Sequence, residues 1–227
     1  MLIGILQTGH APQELITDLG DYSDMFQILL AGQGFDFQVF SIVDGAFPDG
    51  ADSCDGWLIT GSKHGAYEDH PWIPPLEELI RDIVTLGRPL VGVCFGHQII
   101  AQALGGTVEK YSGGWAIGRQ TYNFGGHEMA FNAWHQDQVT TLPEGATVLA
   151  SNDFCQYAAL AYGDRALTIQ PHPEFGPDMI DGLIEFRGKG AVPENLIKKA
   201  EAQLAQPTAS ETFADQMADF FRMERTS

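Results

Sequence analysis

Apolar runs alternate with helical periodicity over the first hundred residues. The strand-like runs are residues 2–6, "FDFQVFSIV" from Phe35, "DGWLITG" from Asp55 and "RPLVGV" from Arg88. Helical spacing of apolar residues occupies the segments between them, notably residues 12–31 and "WIPPLEELIRDIVTL" from Trp72. Such alternation of strand and helix predicts an open, mostly parallel sheet with helices on both faces, an α/β fold.

The second half begins with short β-rich runs separated by Gly, Asn and Asp. These runs are "TVEKY", "WAIGRQTYNF", "EMAFNAW", "TVLASND" and "QYAALAYGDRALTIQ". Gly163 and Asp164 stand between two apolar stretches of the last run, which indicates a hairpin. We expect these strands to be antiparallel additions to the same mixed sheet. From Gly176 onward the pattern is helical, with Gly and Pro between the segments.

Length and composition predict one globular domain over residues 1–227. The chain is 44% hydrophobic, which suffices for a full core. Its formal net charge of -18 would repel phosphate backbones and anionic lipid, so we expect neither nucleic-acid nor membrane binding. No apolar run reaches the roughly 20 residues of a membrane helix, and the N-terminal segment lacks a basic region, so we expect a cytoplasmic protein.

Cys94 lies between two glycines, where the apolar run "LVGV" gives way to a helical pattern. Gly92 and Gly96 suit a nucleophile on a sharp turn between strand and helix, where the backbone approaches itself closely or takes positive φ. The helix dipole would favour a thiolate at this point. The alternative is an ordinary buried core cysteine. We expect that role for Cys54 and Cys155, and three scattered cysteines predict no disulfide framework.

His172, in "IQPHPEFG", is the first choice for a base near Cys94. It follows the predicted strand "RALTIQ", and Pro173 favours an extended backbone. Residues two apart in an extended segment share a side, so Glu174 can reach and orient the imidazole. The alternative is a solvated proline-rich turn. His135 in "AWHQDQV" is a weaker choice, because Asp137 is not held beside it by a proline.

The two motifs "GVCFGHQ" and "HPE", in this order, resemble those of the class I glutamine amidotransferases. The resemblance implies a flavodoxin-like fold with Cys94 as nucleophile, His172 as base and Glu174 as its orienter. It also implies that Gln98 contacts the bound substrate. The segment "AWHQDQV" resembles the Ser-His-Gly-Asp segment of guanosine monophosphate synthetase, which implies that His135 and Asp137 line the same pocket.

Acyl transfer also needs N–H donors for the oxyanion. One is the amide of Phe95, directly after the predicted nucleophile. The other is expected from "ITGSKHGAYED", where many relatives have Gly-Gly-Pro; since this chain departs from that pattern, the donor is Gly61 or Ser62. The spacing of the remaining histidines, His64, His70, His97 and His127, suggests no metal site, and we expect no cofactor.

These observations predict cysteine-dependent hydrolysis of a γ-glutamyl amide through a thioester. No G-x-x-x-x-G-K-[ST] motif is present, so a synthase that accepts ammonia would be a separate polypeptide. The leading hypothesis is a stand-alone amidotransferase-like enzyme acting on a small γ-glutamyl substrate. One alternative is a γ-glutamyl peptidase or hydrolase, whose leaving group is a larger amine. Another is a binding module of the same fold without catalysis.

Overall fold

A seven-stranded sheet lies at the centre of the computed structural model, which describes residues 1–225. The strands of the chain are β1 (Leu2–Gln7), β2 (Asp36–Ser41), β3 (Gly56–Ile59), β4 (Leu90–Val93), β5 (Thr107–Lys110), β6 (Ala116–Phe124), β7 (His127–His135), β8 (Asp137–Thr141), β9 (Thr147–Ala150), β10 (Ala159–Tyr162) and β11 (Ala166–Ile169). The order in the central sheet is β2-β1-β3-β4-β11-β10-β9. Strands β2, β1, β3, β4 and β11 are parallel, and β10 is antiparallel to both its neighbours. The predicted mixed α/β sheet is confirmed.

Helices cover both faces of this sheet. They are α1 (Gln13–Leu19), α2 (Tyr22–Leu29), α3 (Ile73–Leu86), α4 (Phe95–Ala103), α5 (Pro177–Leu183), α6 (Glu194–Glu201) and α7 (Ser210–Arg222). Alternate residues of the strands enter two apolar clusters: Leu90 packs with residues of α3 and α4, whereas Val91 packs with residues of α2 and α7. Both faces are therefore buried, as a parallel sheet requires. None of the helices in residues 1–225 has the length and apolarity to cross a bilayer.

The prediction that all the later strands join the central sheet is wrong for the three runs that form β5, β6 and β7. β5 pairs with β8, and β6 pairs with β7, in two separate two-stranded sheets. β6 and β7 pair along their whole length, from Ala116 opposite His135 to Phe124 opposite His127. Alternation of apolar residues identifies a strand but not its partner, which explains the error. The predicted hairpin at Gly163 is confirmed, since β10 and β11 pair up to Tyr162 and Ala166.

Candidate active site

Cys94 occupies a constrained turn between β4 and α4. Its φ of 53° and ψ of -103° make it the one non-glycine residue with positive φ in residues 1–225. A side chain in this region is strained, and such strain is found often at functional sites. The positive φ thus falls on the cysteine itself and not on the glycines beside it.

The flanking glycines are explained by close backbone approach. A Cβ on Gly92 would lie 2.6 Å from the carbonyl oxygen of Gly96, and a Cβ on Gly96 would collide with the carbonyl oxygen of Ile59. The N–H of Gly96 also donates to the carbonyl oxygen of Thr60 at 3.1 Å, which ties the turn to the end of β3. The turn therefore accepts only glycine at these two positions.

The first turn of α4 starts directly after Cys94, at Phe95. The first N–H groups of a helix have no acceptor within the helix, and they carry the positive end of its dipole. The Phe95 amide is therefore placed beside the sulfur, where the sequence predicted an oxyanion donor. The Phe95 side chain is buried and packs against Trp72, which fixes the start of the helix.

His172 and Glu174 form a buried pair. The Nδ1 atom of His172 lies 2.7 Å from Oε1 of Glu174, and the two side chains are 4% and 1% exposed. Burial alone would lower the pKa of His172, but the negative charges of Glu174 and Cys94 and the hydrogen bonds to both side chains raise it above its usual value. The three predicted residues Cys94, His172 and Glu174 are thus brought together as a nucleophile, base and orienter would be.

Phe175 and Asn132 also hold the imidazole of His172 in place. The ring of Phe175 stacks on it with 3.9 Å between centroids and 3° between planes. The backbone N–H of His172 donates to the carbonyl oxygen of Asn132 in β7 at 2.7 Å, and the Asn132 side chain donates to the carbonyl oxygen of Phe175 at 2.8 Å. The β6–β7 pair therefore positions the histidine, a contribution that the sequence pattern did not reveal.

Gly61 and Ser62 lie beside this group. A Cβ on Gly61 would stand 2.9 Å from Cε1 of His172 and 3.7 Å from Cβ of Cys94. The backbone of Gly61 therefore lies next to both His172 and Cys94. The Ser62 hydroxyl donates to the carbonyl oxygen of Thr8 at 2.7 Å and accepts from the N–H of His64 at 3.1 Å. The segment in which the sequence predicts a donor therefore lies beside Cys94 and His172.

Gln98, His135 and Asp137 also line the cavity at Cys94. The Gln98 amide donates to the carbonyl oxygen of Asp137 at 2.9 Å and to Oε1 of Gln170 at 3.1 Å, so protein groups already hold it. Nδ1 of His135 is 3.2 Å from the same Asp137 carbonyl oxygen. Burial and the charge of His172 together lower the pKa of His135 to about 3, although the hydrogen bond to the Asp137 backbone raises it. His135 lacks a carboxylate orienter, which favours His172 as the base.

The cavity has a volume of about 320 Å³ and is lined by groups that the sequence reading did not single out. Three of the 12 basic residues lie on its wall, namely Lys63, Lys110 and Arg187. Trp115 and Trp134 also line it, with ring centroids 6.3 Å apart. Lys63, Lys110 and Arg187 are far apart in the sequence, so only the fold shows that they line one cavity.

Comparison with known proteins identifies the family. The family model "Glutamine amidotransferase class-I" matches residues 36–188, which is more than half of the chain. The chain belongs to the class I glutamine amidotransferase family.

Individual relatives extend this result. The chain is 31% identical to "Gamma-glutamyl peptidase 4" of Arabidopsis thaliana, over 92% of this chain and 90% of that protein. It is 32% identical to a glutamine-hydrolysing GMP synthase of Aromatoleum aromaticum, over 66% of this chain but 34% of the synthase. A crystal structure of a glutamine amidotransferase from Methylobacillus flagellatus has a TM-score of 0.76 and 22% identity, covering 97% of this chain and 91% of that one. That structural likeness supports the fold.

Proposed function

We propose that the protein hydrolyses γ-glutamyl amide bonds through a γ-glutamyl thioester on Cys94, and that its leaving group is a peptide or another amine larger than ammonia. The observation that carries the chemistry is the buried Cys94, His172 and Glu174 group next to the start of α4 at Phe95 and the backbone of Gly61. The relatives that match this chain over most of their own length, and that are named γ-glutamyl peptidases, support the larger leaving group.

The reaction proceeds in two balanced steps. The Cys94 sulfur attacks the γ-carbonyl carbon, the amides near Phe95 and Gly61 stabilise the oxyanion, and protonated His172 gives its proton to the departing nitrogen as the C–N bond breaks. Water then adds to the thioester while His172 takes one of its protons, and cleavage of the S–C bond releases glutamate. Glu174 stabilises the imidazolium and keeps Nδ1 directed away from the sulfur.

The charge of the cavity wall fits such a substrate. A glutamyl group carries an α-carboxylate, and a peptide leaving group carries another. Lys63, Lys110 and Arg187 line the cavity together with two carboxylates, Glu68 and Asp137, so its basic residues outnumber its acidic ones, while the chain as a whole is strongly acidic. Local cations would attract the anionic ligand despite the overall negative charge. We therefore expect γ-glutamyl peptides to be better substrates than γ-glutamyl amides whose leaving group is uncharged.

A second candidate is hydrolysis of glutamine to supply ammonia to a separate synthase. The similarity to GMP synthases, which covers only about a third of their length, favours it. The chemistry at Cys94 would be the same, and the leaving group would be ammonia. The acceptor would bind as a partner protein, because this chain carries no phosphate-binding motif of the P-loop type.

Leaving-group specificity is tested by measuring glutamate release from L-glutamine, a γ-glutamyl dipeptide and the α-glutamyl isomer of that dipeptide at matched concentrations. We expect kcat/KM for the γ-glutamyl dipeptide to exceed that for glutamine by at least about tenfold. The α-glutamyl isomer should not be cleaved. Cleavage of glutamine alone would favour the second candidate, and equal cleavage of both dipeptide isomers would contradict γ-glutamyl specificity.

A further inference from the structure

Two histidines and a glutamate meet on the loop between β3 and α3. Oε2 of Glu68 lies 3.4 Å from Nδ1 of His64 and 2.7 Å from Nε2 of His70. All three potential ligand atoms lie within 4.8 Å of one another, the one such metal-ligating group found in residues 1–225. The spacing along the sequence gave no sign of it, because the loop folds back to bring His70 to His64.

The two separations from Glu68 are close to those of a zinc site, and the two histidine nitrogens lie within 4.8 Å of each other. With Zn–N and Zn–O bonds of about 2.0–2.1 Å, ligand atoms on a tetrahedron stand about 3.4 Å apart. The distance from Glu68 to His64 already has this value, and the distance from Glu68 to His70 has to open by well under 1 Å. The side chains are 21%, 43% and 30% exposed for His64, Glu68 and His70, so an ion can enter from solvent.

The surrounding packing holds the two imidazoles in place. The ring of His70 stacks on that of Trp72 with 8° between planes, and Trp72 is buried against Phe95. The His64 ring contacts His70 edge-on at 4.2 Å between centroids, and its backbone N–H is bound to the Ser62 hydroxyl. Ligands held in this way lose little side-chain freedom when an ion binds.

A comparison within the chain shows that a histidine in contact with two carboxylates does not by itself make a metal site. His10 binds Asp21 through Nδ1 and Asp44 through Nε2, so the two carboxylates lie on opposite sides of its ring. One ion cannot contact all three of those groups. In contrast, His64, Glu68 and His70 converge on one point.

We propose that His64, Glu68 and His70 form a binding site for a borderline transition-metal dication, Zn²⁺ in particular, on the wall of the substrate cavity. Two imidazole nitrogens and one carboxylate oxygen are ligands that Zn²⁺ accepts, and three protein ligands leave a fourth position for water. His64 and Glu68 line the cavity that contains Cys94. The ion would tie residues 64–70 into a closed loop.

Zinc binding is tested by titrating Zn²⁺ into tag-free Cys94→Ala protein in a calorimeter, since the substitution removes the Cys94 sulfur as a competing ligand. We expect one equivalent to bind. Adding His70→Asn or Glu68→Gln should weaken binding by at least about tenfold, because each removes a direct ligand. Adding His127→Asn, at an exposed residue of β7, should leave the affinity unchanged.

Co²⁺ absorption spectra of the same proteins identify the ligands. Visible bands of a nitrogen and oxygen site, lost in both loop variants, are the expected result. Thiolate charge-transfer bands would assign the ion to Cys54 or Cys155 and overturn the proposal. Failure of Zn²⁺ to bind the parent protein, or equal affinity in variants whose circular dichroism shows the native fold, would also overturn it.

Discussion

At the scale of single residues, the Glu174 carboxylate is the group that does most to raise the pKa of His172, against the burial that lowers it. It is fully buried and contacts Nδ1 at 2.7 Å, and its negative charge raises the pKa of His172. A neutral amide of the same shape would keep the packing and lose the charge. Replacing Glu174 by glutamine therefore separates the electrostatic contribution of this residue to the proposed reaction from its contribution to packing.

Glu174→Gln is expected to lower kcat/KM for a γ-glutamyl substrate by about 100-fold or more. Because the removed charge raises the pKa of His172, the limb of the pH–rate profile that reports His172 should move to lower pH. Steady-state kinetics across pH measure both effects. Glu194→Gln, at an exposed glutamate of α6, is the matched control. An unaltered profile in folded Glu174→Gln would contradict the orienting role.

At the scale of elements, the junction of β4 and α4 depends on two glycines that admit no side chain. Gly96→Ala places a Cβ against the carbonyl oxygen of Ile59, which belongs to β3 and cannot move aside independently. We expect a loss of at least about 2 kcal/mol in the free energy of unfolding, as for other overpacked sites. Urea denaturation measures it.

Gly50→Ala provides the control for this junction. A Cβ there would meet a single exposed atom, the Asp52 carboxylate oxygen at 3.0 Å, which can rotate away. We expect a change within about 0.5 kcal/mol. If the two alanine variants were equally stable, the close approach at Gly96 would not constrain the turn as described.

The same elements show what the sequence could and could not predict. Apolar runs located β1, β3 and β4, and the flanking glycines of Cys94 indicated a tight turn, because local sterics produce these features. Pairing of β6 with β7 could not be predicted, since register and partner depend on contacts between distant segments. The proximity of Cys94 to His172 followed from both lying at strand ends, where parallel strands meet at one edge.

Residues whose roles depend on tertiary contacts were missed for the same reason. Phe175 is an ordinary aromatic in the sequence, but it stacks on His172 in the fold. The sequence spacing of His64 and His70 predicted no metal site, and only the fold of the loop shows that both lie beside Glu68. Rules based on sequence spacing detect ligands on regular helices or in loops of known conformation. The loop between β3 and α3 belongs to neither class.

At the scale of the whole molecule, buried neutral histidines predict sensitivity to mild acid. His97 is fully buried, its Nδ1 lies 2.8 Å from Oγ1 of Thr168, and burial lowers its pKa to about 3 with a further contribution from His135. In the unfolded chain the pKa is near 6.5. Between these values the unfolded state binds a proton that the folded state does not, so stability falls as the pH falls.

His97→Asn removes the contribution of this histidine to the pH dependence of stability. The free energy of unfolding of the wild-type protein should decrease with falling pH more steeply than that of the variant, by about 1.4 kcal/mol per pH unit below about pH 6. Urea denaturation at a series of pH values measures the two slopes. His127→Asn, at an exposed position, should retain the wild-type slope. Parallel curves for wild type and His97→Asn would contradict the buried neutral state.

The measurement that tests the central claim most directly is single-turnover release of glutamate from a γ-glutamyl dipeptide, with enzyme in excess over substrate. Wild-type protein should release one glutamate per substrate. The control Cys54→Ala, at a buried cysteine just before the start of β3, should do the same. Cys94→Ser should release none on the same timescale, and acid quenching should trap a glutamyl group on Cys94 of the wild type and of Cys54→Ala. Undiminished release by folded Cys94→Ser would contradict the account.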